Sequence, residues 1–132
     1  MEKMTLAQAR SLKNAEHQRS KDIEVLKKEY EHALVSGEKE YIFATAKEYF
    51  ENVVQKYMDE AARERGYDDI KSAASYVDDD DAIFAKEGLA YKKWRSAVWR
   101  KCYSIEDEVF AGQRTIPTVE ELLGELPKLV LE

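Results

Sequence analysis

Hydrophobic residues recur along most of this chain at steps of three and four, the spacing of an amphipathic α-helix. The first such block covers residues 5–35, and one of its stripes is apolar: Leu12, Ile23, Leu26, Tyr30, Ala33 and Leu34. Glu16 and Arg19 interrupt the N-terminal part of this stripe, so that part of the helix has little apolar surface to bury. Ser36-Gly37 predicts the end of the helix, because glycine is favoured just past a helix C-terminus.

A second block, residues 38–65, has a continuous apolar face: Ile42, Ala46, Tyr49, Phe50, Val53, Tyr57 and Ala61. Glu48, Glu51 and Asp59 are predicted to lie outside that face. Gly66 is a suitable residue to end the helix. Since only residues 36–37 separate the two blocks, we expect them to pack as an antiparallel hairpin.

The C-terminal half begins with a short element over residues 67–76, for which Asp68 is the expected cap. A longer helix is predicted for residues 82–111, and its buried stripe comprises Phe84, Tyr91, Trp94, Val98, Cys102, Ile105 and Val109. A last short helix follows Pro117, where Thr118 and Glu121 have capping-box spacing. The pattern predicts an all-α fold with antiparallel helix packing, in which a hairpin (1–66) precedes a small helical module (67–132).

Composition and charge narrow the classes of function. Charged residues make up 36% of the 132 positions, above the ordinary ~25%, which indicates long solvated helix faces. The net charge of −6 argues against a dedicated nucleic-acid-binding protein, which usually carries a basic footprint. Cys102 is the one cysteine, so an internal disulfide is excluded and a reducing cytoplasm is expected. No run approaches the ~20 apolar residues of a membrane span, and the N-terminus lacks a signal-peptide pattern.

No residue pattern indicates catalysis, a metal site or a cofactor. The acidic run from Asp78 to Asp81 lacks the glycine and the glutamate that an EF-hand loop requires, so we interpret it as a helix cap. The two histidines, His17 and His32, are too few and too far apart for a histidine-based metal site. We therefore expect a protein that is not an enzyme and needs no cofactor.

The stretch around residues 91–101 interleaves aromatic and basic residues, which suggests two alternatives. Single-stranded nucleic acid binds to such mixtures by stacking and phosphate contacts. Helical geometry, however, places Trp94 on the apolar stripe. The basic residues of the stretch face away from that stripe: Lys92, Lys93, Arg100 and Lys101. The preferred reading is a core helix with a basic outer face, with Arg95 and Trp99 as interface anchors at its edge.

Several strings in the C-terminal half form a recognisable combination. They include Ala61-Ala62-Arg63-Glu64-Arg65-Gly66-Tyr67-Asp68, Ile70 to Tyr76, Phe84, Glu87-Gly88, Trp94-Arg95-Ser96-Ala97-Val98-Trp99, Cys102-Tyr103, Ala111 to Arg114, Ile116-Pro117-Thr118-Val119-Glu120-Glu121-Leu122 and Glu125-Leu126-Pro127. This combination, which covers about half the chain, resembles a pattern of small phage and prophage tail-region proteins encoded near tail-fibre genes. The resemblance implies no enzyme activity.

The resemblance leads us to expect a non-enzymatic structural or assembly protein of a phage or prophage tail. Its expected partners are other tail or tail-fibre proteins, or a second copy bound through the first helix, and nucleic acid and membranes are not expected. The protein would be cytoplasmic during assembly and could then enter the virion tail. The interface candidates are Leu12, Ile23, Leu26, Arg95 and Trp99. The alternative function is a nucleic-acid-binding accessory that uses the basic face of residues 92–101.

Overall fold

The computed structural model describes residues 22–131 and places five α-helices in them. These are α1 (Ile23–Ser36), α2 (Lys39–Glu64), α3 (Ile70–Ser75), α4 (Ala82–Phe110) and α5 (Val119–Glu125). A single 3₁₀ turn, Tyr76–Asp78, follows α3, and residues 22–131 contain no β-strand. The predicted all-α fold is confirmed.

The helices α2, α3 and α4 begin and end within three residues of the predicted positions, and α1 ends one residue beyond its predicted end. The predicted start of the first helix, at residue 5, lies outside the described residues. Gly37 follows α1 with φ 71°, a left-handed conformation that glycine adopts without steric cost. The Asp22 side chain caps the start of α1 by accepting a hydrogen bond from the Glu24 backbone N–H at 2.9 Å. The cap of α3 is Asp69 rather than the predicted Asp68, because the Asp69 carboxylate accepts a hydrogen bond from the Ser72 N–H at 2.7 Å.

The chain divides into two compact units, each assembled from separate segments. The first unit contains the described residues up to Lys56 and the segment Glu106–Val119. Its hairpin is antiparallel, since Tyr30 contacts Tyr49 (ring centroids 5.8 Å apart) and the later His32 contacts the earlier Tyr41 (6.3 Å). Phe43 packs edge-on against Phe110 at 4.9 Å. Aromatic contacts therefore hold the hairpin and the end of α4 within this unit.

The middle of α2 is buried more completely than its apolar stripe predicts. Every residue from 49 to 55 is buried. The prediction that Glu51 lies outside the buried face is wrong, because the residue is 5% exposed. Its carboxylate accepts a hydrogen bond from Lys47 Nζ at 2.9 Å. A carboxylate tolerates burial when a nearby cation and hydrogen bonds replace the lost water.

The second unit contains Tyr57–Ile105 and the residues from Glu120 onwards. Its core includes the fully buried side chains of Met58, Ile70, Tyr91 and Val98. The Asp59 carboxylate accepts a hydrogen bond from the Ile70 N–H at 3.0 Å, which ties the start of α3 to α2. The division into 1–66 and 67–132 stays a prediction.

Candidate protein-docking groove

The second unit carries a groove of about 450 Å³ between α4 and the segment that follows α5. Its apolar lining comprises Leu89, Ala90, Trp94, Ala97, Pro127, Val130 and Leu131. Charged residues complete the lining: Lys86, Glu87, Lys93 and Lys128. The volume lies within the ~300–1,000 Å³ of typical ligand pockets. A mainly apolar groove with charged residues is a reasonable surface for recognising a partner.

A hydrogen bond from Trp94 holds the two walls of the groove together. The Trp94 Nε1–H donates to the carbonyl oxygen of Pro127 at 2.7 Å. The indole is 5% exposed, and its ring lies 6.0 Å from that of Tyr57. Leu126, just before this contact, is also buried. The C-terminal segment is therefore anchored at Pro127, and the residues after it form the second wall.

Helical periodicity explains which residues of α4 line the groove. Lys86, Ala90, Lys93 and Ala97 follow one another at steps of four, three and four, so they share one face of the helix. Ala90 and Ala97 are small, and they alternate with the longer side chains of Lys86 and Lys93 along this face. This outer stripe lies beside the buried stripe to which Tyr91, Trp94 and Val98 belong.

The acidic group of the lining, Glu87, is engaged within the protein. One of its oxygens accepts a hydrogen bond from the Tyr67 hydroxyl at 2.8 Å, and the other accepts from the Arg65 guanidinium. These hydrogen bonds, first from Arg65 and then from Tyr67, lower the pKa of Glu87 below its ordinary value of 4.5. The carboxylate is therefore ionised at neutral pH and both of its oxygens have partners.

The tyrosines behind Glu87 are packed and resist ionisation. Burial, with the hydrogen bond to Glu87 as the second cause, raises the pKa of Tyr67 from 10.0 to about 12. Burial also raises the pKa of Tyr91, whose ring lies 5.6 Å from that of Tyr67. The hydroxyl of Tyr91 has no hydrogen-bond partner among residues 22–131. This aromatic cluster is a neutral, rigid support for the groove at physiological pH.

The three lysines of the groove, unlike Glu87, are exposed and have no carboxylate partner among residues 22–131. Lys86, Lys93 and Lys128 are exposed. Within the described part of the chain, no ion pair joins any of them to a carboxylate. Their ammonium groups are therefore available to a ligand, and the groove combines an apolar floor with positive charge.

The interface residues predicted from sequence lie elsewhere. Leu12 is outside the described residues. In the first unit Ile23 is half-buried and Leu26 is 6% exposed. In the second unit Arg95 is half-buried, and Trp99 is 9% exposed with its ring stacked on Tyr103 at 5.7 Å. None of these described residues lines the groove, and their role as interface residues stays a prediction.

Sequence reasoning missed most of the groove. A signal existed in the stripe of Lys86, Ala90, Lys93 and Ala97, which sequence periodicity places on one helix face. Of this stripe, only Lys93 is predicted from sequence to lie on a basic outer face, together with Lys92, Arg100 and Lys101, because no local pattern specifies that residues 127–131 return to α4.

Residues 22–131 contain neither a group of side chains suited to a metal ion nor a helix suited to a membrane span. No three histidine, cysteine, aspartate or glutamate side chains in this range come close enough to hold a metal ion. No helix in the same range combines the length and the apolar character needed to cross a bilayer.

No protein family, no curated protein and no solved structure matches the chain in sequence or structure comparisons.

Proposed function

We propose that this chain is a non-enzymatic structural or assembly protein of a phage or prophage tail, and that it acts through protein–protein contacts made by the groove. Its partners would be other tail or tail-fibre proteins. The protein would be present in the cytoplasm during assembly and could remain in the finished tail.

The observation that carries this proposal is that residues of the tail-protein pattern converge on the groove. Glu87 and Trp94 line it, and Pro127 receives the Trp94 hydrogen bond. Tyr67, from the same pattern, donates to Glu87. Gly88 allows α4 to approach the backbone of the Tyr76–Asp78 turn, since a Cβ at this position would lie 2.5 Å from Val77 N. The shared pattern thus describes the parts that build and support one surface.

A second copy bound through α1 is part of the same proposal. Val25 is 59% exposed and Val35 is 87% exposed, so α1 presents apolar side chains to solvent. Single exposed apolar residues are common on monomers, however, so these two valines are weak evidence for an interface. The groove is therefore the main contact surface that we propose.

Mass spectrometry of purified phage or prophage particles tests the proposed function. The particles are prepared from the organism that carries the gene, and the chain is quantified against the major tail protein. We expect the chain to copurify at a fixed stoichiometry. If the chain is expressed but is found neither in finished particles nor in tail-assembly intermediates, the proposal is wrong.

A further inference from the structure

We infer that the partner segment is an acidic amphipathic helix whose carboxylates are seven residues apart, with apolar side chains between them. This inference rests on the proposed function, because it takes the groove to be a protein-binding surface, and it adds the chemistry of the partner.

The apolar part of the groove favours a partner with apolar side chains. Leu89 is 41% exposed and Val130 is 68% exposed, and they lie in opposite walls of the groove. Covering such side chains removes apolar surface from water, which is the main favourable contribution to most protein association. The small Ala90 and Ala97 leave room for side chains of the size of leucine between the walls.

The charge of the groove favours carboxylates on that partner. Lys86, Lys93 and Lys128 have no ion pair within residues 22–131, and the oxygens of Glu87 are occupied by Tyr67 and Arg65. The whole chain has a net charge of −6, so an acidic ligand gains no general electrostatic attraction to it. Binding of an acidic peptide would therefore report on this local group of lysines.

The spacing of the lysines favours a helix lying along α4. Lys86 and Lys93 are seven residues apart, so their Cα atoms are separated by about 10.5 Å along the helix axis. A partner helix beside α4 has the same rise, and its carboxylates at positions i and i+7 would meet both lysines. Its residues at i+3 and i+4 would then face Leu89 and Ala90, as in other helix-in-groove complexes.

The N-terminal segment of this chain has the wrong charge to be the occupant. Residues 1–21 contain five basic residues, Lys3, Arg10, Lys13, Arg19 and Lys21, and two acidic residues, Glu2 and Glu16. Like charges across an interface are unfavourable. An acidic segment of another protein fits the three lysines better.

Fluorescence anisotropy with the full chain tests this inference. The probe is a labelled synthetic helix with glutamate at positions i and i+7 and leucine at i+3 and i+4, and the matched probe carries lysine instead of glutamate. We expect Lys93→Glu to weaken binding of the acidic probe at least tenfold. Lys92→Glu changes the charge equally but lies outside the groove, and we expect a change below twofold. Thermal melts of both variants establish that they are folded.

Four results would overturn the inference. The first is that the acidic probe does not bind, and the second is that the lysine probe binds equally well. The third is that Lys92→Glu weakens binding as much as Lys93→Glu does. The fourth is that a single-stranded oligonucleotide of equal charge displaces the acidic probe and binds the groove more tightly than the probe does. That result would favour nucleic acid as the ligand. The particle measurement uses no peptide, so the chain can be found in tails while the inference about its partner fails.

Discussion

Gly88 is the residue at which α4 comes closest to the backbone of a preceding element. A Cβ there would lie 2.5 Å from Val77 N and 2.6 Å from the carbonyl carbon of Tyr76. Backbone atoms of a turn cannot move aside like the end of a flexible side chain, so any larger residue must displace the helix or the turn. Glycine at this position therefore sets the position of the α4 segment that lines the groove.

We expect Gly88→Ala to destabilise the protein by about 3 kcal/mol, because the methyl group overpacks the contact with the turn. Gly124→Ala is the matched control, since a Cβ at Gly124 meets nothing within 4 Å and Gly124 lies in α5. That change should be neutral or stabilising by up to about 1 kcal/mol. Urea denaturation of both variants measures the difference. Equal effects of the two substitutions would show that the close approach at Gly88 is absent.

Glu87 provides a pH-dependent contribution to stability at the same end of α4. Its pKa is lowered in the folded protein by hydrogen bonds from Arg65 and Tyr67, so folding is favoured while Glu87 is ionised. This contribution is fully present above the unfolded pKa of 4.5 and is lost as the pH falls through the lower folded pKa.

We therefore expect Glu87→Gln to lower the melting temperature by a few degrees at pH 7, and we expect this deficit to shrink as the pH falls from 4.5 towards 3. The measurement is a series of thermal melts between pH 7 and pH 3 for the variant and the parent chain. Glu29→Gln, at an exposed position in the middle of α1, is the control and should melt like the parent chain throughout. A deficit for Glu87→Gln that persists unchanged at pH 3 would contradict the hydrogen-bonding role of its carboxylate.

Among the elements, α4 carries most of the site, and Asp81 determines where it begins. The Asp81 carboxylate accepts hydrogen bonds from the backbone N–H groups of Ile83 (2.9 Å) and Phe84 (3.1 Å). These contacts satisfy donors that have no partner within the helix. The acidic run that begins at Asp78 thus includes one residue with a specific capping role.

Removing this cap by Asp81→Ala should cost about 1 kcal/mol of stability. Asp80→Ala removes an equal charge from the neighbouring exposed position and should cost no more than a few tenths of a kcal/mol, the size of a helix-dipole effect. Chemical denaturation followed by circular dichroism distinguishes the two variants. If they are destabilised equally, general charge rather than the Asp81 hydrogen bonds stabilises the start of α4.

The helices were predictable from sequence because local signals specify them. Apolar residues at helical spacing and glycines such as Gly37 gave the number of helices and most of their ends. The burial of Glu51 was not predictable, because it depends on what covers α2 rather than on the pattern within α2. The groove was missed for the same reason, since Trp94 and Pro127 form it across 33 residues of sequence.

At the scale of the whole molecule, we propose that the chain joins a tail assembly through the groove of its second unit. The groove is a better candidate for the contact surface than Trp99, because Trp99 is only 9% exposed and its ring packs on Tyr103. The lysines of the groove are instead exposed and have no carboxylate partner within residues 22–131.

The most direct test is quantitative mass spectrometry of particles assembled with the Lys93→Glu chain, compared with particles assembled with the Lys92→Glu chain. Both variants carry the same charge change on α4, and only Lys93 lines the groove. We expect Lys92→Glu to be incorporated at the parent stoichiometry, and we expect Lys93→Glu to be depleted at least tenfold despite equal expression. Equal incorporation of the two variants, or absence of the parent chain from particles and assembly intermediates, would contradict the proposal.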